Sequence, residues 1–100
     1  MGRILRIATL AENDPKMVDC STPDGRDGKL FLNNTGSNNI MVGYDRSDVL
    51  AATAANFFTI EAGILLVLDI SSEVGYLSES SSLFFSATGG ASTLEVWVAY

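Results

Sequence analysis

Apolar residues along this chain come in short runs, separated by clusters of Ser, Thr, Asn, Asp and Gly. The last segment, TLEVWVAY (93–100), alternates cleanly: Leu94, Val96, Val98 and Tyr100 fall on one side of an extended chain, Glu95, Trp97 and Ala99 on the other. That two-residue period is the mark of a strand. RILRIATL (3–10) is also extended, but Ile4 and the stem of Arg6 share one face while Leu5 and Ile7 share the other, so neither face is purely polar. Between them, KLFL (29–32) and IMVGY (40–44) flank the polar NNTGSNN (33–39) and predict a β-hairpin. FFTI (57–60), ILLVLDI (64–70), VGYL (74–77) and LFFSA (83–87) complete the set of short strands. DRSDVLAATAAN (45–56) reads as a loop with room for one helical turn, because neither Ser47 nor Asp48 is followed three residues later by the Glu or Gln of a capping box.

FFTIEAGILLVLDI (57–70) is the most apolar stretch. A membrane-spanning helix needs about 20 consecutive apolar residues, and this one is interrupted by Thr59, Glu61, Gly63 and Asp69. Its Phe, Ile and Val content, with a glycine that would cost a helix interior about 1 kcal/mol against alanine, points instead to two strands meeting at Glu61-Ala62-Gly63. Apolar residues at both parities imply that both faces of these strands are covered. Six to eight short strands with polar turns define the expected fold class: all-β, a small antiparallel, jelly-roll-like β-sandwich. Residues 11–28 hold both prolines and the turn-forming PDGRDG (23–28), so residues 1–28 are expected to form an N-terminal arm, a strand plus a loop with a short strand at Lys16 to Cys20. Residues 29–100 are expected to form the sandwich.

The chain has 100 residues, 47% hydrophobic and only 18% charged, which fits one folded domain. A net charge of −6 argues against a phosphate-tracking nucleic-acid binder. All basic residues lie in the first 46 positions, and residues 47–100 carry acids alone, which suggests either two parts facing different surroundings or simply a solvated acidic face. With one cysteine, Cys20, there is no internal disulfide. The N-terminal alternation reads as a strand, not as the apolar core of an export signal, so folding in a reducing cytosol is expected. The chain contains no histidine, so Ser-His and Cys-His nucleophile pairs cannot be built. Glu61, Asp69, Glu73 and Glu79 are scattered carboxylates that read as a solvated surface. PDGRDG matches no EF-hand spacing. Neither an enzyme, a metal site nor a cofactor is expected.

The segments KLFLNNTGSNNIMVGYDRSDV, NFFTIEAGILLVLDI and SLFFSATGGASTLEVWVAY follow one another in a course that resembles the small β-sandwich virion proteins of tailed bacteriophages. The likeness covers residues 29–100 and lies in pattern. It implies a non-enzymatic role as a capsid decoration or cement protein, located on the virion surface. It further implies binding to the major capsid protein and assembly as a homo-oligomer, a trimer in many such families. On that reading the arm pairs with a neighbour's sheet edge. The interface is then expected to include Arg3, Ile4, Arg6 and Ile7, with the aromatics Phe58, Phe85, Trp97 and Tyr100 facing outward. Residues 1–28 and the 30–44 hairpin would dock, leaving the acidic part outside. The competing expectation is a receptor- or carbohydrate-binding module on a phage tail or fibre, with Tyr44, Tyr76 or Trp97 stacking on sugar rings.

Overall fold

The computed structural model describes residues 2–22, 26–53, 55–70 and 82–100. The VGYL strand expected at 74–77, with Glu73, Tyr76 and Glu79, lies outside the described residues, as do positions 23–25 of PDGRDG.

Among the described residues eight strands form: β1 (Arg3–Leu10), β2 (Lys16–Asp19), β3 (Gly28–Asn34), β4 (Asn39–Gly43), β5 (Phe58–Ile60), β6 (Leu65–Ile70), β7 (Ser82–Thr88) and β8 (Ser92–Ala99), with one helix, α1 (Arg46–Ala51). The first four run out and the last four return beside them, so that β1 pairs with β8, β2 with β7, β3 with β6 and β4 with β5, all antiparallel. Rolling that double ribbon up brings β8 against β3 and β7 against β4. The result is two facing sheets ordered β1-β8-β3-β6 and β2-β7-β4-β5, the strand order of a jelly roll.

The expected all-β sandwich is therefore present, but its wiring differs from the sequence reading in three places. Residues 1–28 are not an arm: β1 and β2 are members of the two sheets, and Ala8, Leu10, Val18 and Cys20 are buried in the common core. Strand β1 pairs with its own β8 along one edge and is the terminal strand of its sheet, so among the described residues its other edge has no strand partner. The 29–44 segment is not a hairpin, because β3 and β4 belong to opposite sheets and Asn34–Asn39 carries the chain across the sandwich. The two strands of 57–70 likewise exist but sit in opposite sheets.

One buried side chain explains these crossings. Asn34 ends β3 at an inward position, fully buried, and all four of its amide valences are used. Its Nδ2 donates to the carbonyls of Asn38 (2.8 Å) and Ile60 (3.0 Å), and its Oδ1 accepts from the Gly36 N–H (3.1 Å) and the Ser92 hydroxyl (2.9 Å). The Asn34 backbone closes the next crossing too, donating to the Ile64 carbonyl (3.0 Å) and accepting from Gly63 N–H (2.9 Å). Gly63 supports that turn with φ +78°, a left-handed conformation that costs glycine nothing. A hairpin would have left this amide at a turn tip in water; the corner instead places it where a missing partner is expensive.

The 45–56 segment takes up the helical turn that its sequence left room for. It forms α1, capped by Asp45, whose carboxylate accepts from Ser47 N–H (3.0 Å) and Ser47 Oγ (2.9 Å). The cap is thus two residues earlier than a search centred on Ser47 finds, and the fully buried Val49 ties the helix down. Close approach depends on Gly43: a Cβ there would lie 2.7 Å from Val49 Cγ2 and 2.9 Å from the Asn56 carbonyl oxygen.

The core is the space between the sheets. Leu94, Val96 and Val98 of β8 and Leu30 and Leu32 of β3 meet Ile40 and Val42 of β4 and Leu83, Phe85 and Ala87 of β7, all fully buried. Cys20 lies there as well, and burial pushes its thiol up to about 12. At that value the thiolate population is roughly a thousandfold below that of an ordinary cysteine. A maleimide or disulfide reagent should therefore leave native Cys20 untouched and modify it fully in denaturant; rapid labelling of the native protein would show that the β2 end of the core is open.

Candidate functional site

The sheet pairings fix which side chains stand together outside the β1-β8-β3-β6 sheet. In β1 the even positions point inward and Arg3, Leu5, Ile7 and Thr9 are exposed. Leu5 pairs with Trp97, Trp97 with Phe31, and Phe31 with Val67, so one apolar row crosses all four strands. On one side of it runs Arg3, Ala99, Lys29 and Asp69; on the other, Ile7, Glu95, Asn33 and Leu65. Lys29 forms an ion pair with Asp69, and Asn33 Nδ2 donates to Glu95 Oε1 (3.0 Å), which joins neighbouring strands within each flanking row.

This face is open. Ile7 is 65% exposed, Leu65 51%, Leu5 45% and Val67 44%. Covering those four side chains would remove on the order of 300 Å² of apolar surface from water, a gross gain of about 8 kcal/mol before the costs of association. A groove of about 490 Å³ runs along its centre, lined by Arg3, Phe31, Asn33, Leu65, Trp97 and Ala99. Its contiguous apolar surface makes this face the candidate interaction site. It also corrects the expectation that both faces of 64–70 are covered: the inward residue Ile70 is buried, but Ile64, Leu65 and Val67 stand in the open.

The residues expected at an interface divide between this face and the interior. Arg3, Ile7 and Trp97 lie on the open face. Phe85 does not face outward; it is fully buried between the sheets, because it shares parity with Leu83 and Ala87. Phe58 also turns inward with Ile60 and packs against the core, as do Ile4 and Tyr100. Arg6 lies on the inner side of β1, half-buried, with Nη1 sealed from solvent and making no hydrogen bond. Its charge reaches Asp19, whose carboxyl is held below its usual range chiefly by the Ser21 hydroxyl and amide and to a smaller degree by Arg6. Sequence reasoning missed Leu5, Phe31, Leu65 and Val67 as site residues. Each sits at an outward position, but only the register shows them to be one row.

The expected separation of a charge-balanced docking part from an acidic outer part is not present in space. Strand β8, from the acid-only part, lies between β1 and β3, and Lys29 pairs with Asp69 across the boundary. A second, smaller depression of about 320 Å³ lies beside α1, lined by residues that include Tyr44, Asp45, Asp48, Asn56 and Phe57. Tyr44 follows β4, whereas Trp97 is in β8 of the other sheet, so these two aromatics do not form one stacking platform. Among the described residues, no group of three Cys, Asp or Glu side chains is placed to hold a metal ion, and no helix is long and apolar enough to cross a membrane. No protein-family model matches this chain, and no curated protein matches it.

Proposed function

We propose that this chain is a non-enzymatic structural protein of a tailed-phage particle, a capsid decoration or cement protein that binds the assembled shell of the major capsid protein. The observation that carries an assembly role is the apolar row Leu5, Trp97, Phe31 and Val67 on the open face of a sheet. It is broad and only gently concave, the shape that meets another protein surface. The phage assignment is supported by the order of segments in residues 29–100. The jelly roll agrees with it, since viral capsid domains use that architecture, but lectin domains use it as well and architecture does not fix function.

A protein that binds only the assembled shell stabilises it by mass action and needs no reactive group. The test is co-sedimentation with empty shells of the cognate major capsid protein, followed by thermal disassembly. The protein is expected to pellet with shells and to raise their disassembly temperature. Equal amounts in the supernatant with and without shells, and an unchanged disassembly temperature, would overturn the reading. Retention on a glycan array by the Tyr44 depression would favour the carbohydrate-binding alternative.

A further inference from the structure

We propose that the open face of the β1-β8-β3-β6 sheet is closed by a second copy of this chain, in a two-fold dimer whose axis runs parallel to the strands between β8 and β3. The inference uses the same open face as the assembly role proposed above but requires no partner beyond this chain; a dimer closed through this face would meet a shell by its other surfaces.

The face is complementary to itself in one orientation. When two like sheets meet face to face with their strands aligned, the two-fold axis runs close to the strand direction or across it. An axis along the strands keeps each row opposite the same row and reverses the strand order, so β1 faces β6 of the other copy and β8 faces β3. The central row then sets Leu5 over Val67 and Trp97 over Phe31, twice each. In one flanking row Arg3 meets Asp69, opposite charges; in the other Ile7 meets Leu65, and Glu95 meets Asn33, acceptor to donor. An axis across the strands fails the same test. It would put Arg3 over Ile7 and Asp69 over Leu65, pressing both charges onto aliphatic side chains with no opposite charge gained across the interface.

Size agrees with a reversible dimer. Four strands at ~4.8 Å spacing and about seven residues at ~3.3 Å each present roughly 440 Å² per copy before side-chain relief, so two copies bury on the order of 1,000 Å², the lower end of specific interfaces. A face-to-face pair of sheets is a two-layer contact and closes with two subunits, which replaces the trimer expected from the resemblance.

The test uses the full chain alone, with no shell protein, so that its outcome is separate from that of shell binding. Sedimentation velocity at on the order of 100 μM, where an interface of this size associates, is expected to give twice the chain mass and to revert to the monomer on dilution. Val67→Lys, at an exposed position, is expected to weaken association at least ~10-fold with an unchanged circular-dichroism spectrum. Met17→Lys, at an exposed position on the other sheet, is expected to leave it unaltered.

A second arm does not depend on losing binding. A mixture of Leu5→Cys and Val67→Cys proteins treated with a short bis-maleimide of ~10 Å span is expected to give a crosslinked dimer, since facing positions lie ~10 Å apart. Leu5→Cys alone is expected to give none, its two copies being ~17 Å apart. A monomer at the highest concentration, a threefold mass, equal loss from Met17→Lys, or crosslinking of Leu5→Cys with itself would each overturn the proposal.

Discussion

Asn34→Leu is expected to lower the thermal midpoint by roughly 12–24 °C, the equivalent of about 3 kcal/mol in a domain of this size. The leucine fills much the same space and is apolar, so the loss is one of partners. The Ile60 carbonyl and Gly36 N–H lose their bonds to this side chain inside the sandwich, and the Ser92 hydroxyl keeps only the Asn38 carbonyl, at 2.9 Å. Because these groups come from the β3–β4 crossing, the end of β5 and the start of β8, the change loosens one whole end of the fold and not a single turn. Asn34→Asp separates this account from a simple packing effect. Aspartate keeps the acceptors but loses the donors, and sets a carboxylate against the carbonyls that Nδ2 now serves. Its folded-state pKa would be raised, so its destabilisation should be greatest near neutral pH and shrink as the pH falls and the carboxyl takes up a proton. Thermal melts of both variants would check this; midpoints within a few degrees of the parent would mean that Asn34 is not buried at the corner.

Phe85→Ala is expected to cost about 3–5 kcal/mol, the range for removing a fully buried aromatic ring. Phe31→Ala, which removes the same ring from the open face, is expected to cost the isolated domain about 1 kcal/mol or less, because that ring already contacts water on one side. Denaturant midpoints measured on dilute protein separate the two. Equal losses would mean that the parity assigned to β7 is wrong and that Phe85 faces outward after all.

The sandwich was legible where alternation was clean. In β8 the sequence separates Leu94, Val96 and Val98 from Glu95, Trp97 and Ala99, and the structure buries the first set and places the second outside. The face assignment of Ile4 and Arg6 against Leu5 and Ile7 is also that of the folded strand. What failed was partnership. NNTGSNN shows turn chemistry, but those residues serve equally for a chain that reverses within a sheet and for one that crosses between sheets. The available signal was Asn34 itself, an amide at the same parity as Leu30 and Leu32 and therefore aimed into the core. The aromatic pairs failed for a related reason. Adjacent residues must face opposite ways, but which of Phe84 and Phe85 enters the core is set by the neighbours Leu83 and Ala87, not by the pair. The charge asymmetry is real along the chain and vanishes in space because a rolled ribbon interleaves its two halves.

The open face was half visible for the same reason. Apolar residues at both parities of β1 and β6 raised the expectation of a covered second side, which the single chain leaves open, and the register turned Leu5, Trp97, Phe31 and Val67 into one row. That this row is buried in the working assembly is the central claim. Trp97 is the single tryptophan and stands within the row, so its fluorescence reports on this face alone. As the protein associates, the emission of Trp97 is expected to shift to shorter wavelength and its quenching by acrylamide to fall, with Val67→Lys remaining fully quenchable. Unchanged emission and quenching in a protein shown to be assembled would contradict the account, because the face would then be open to water while another surface made the contact.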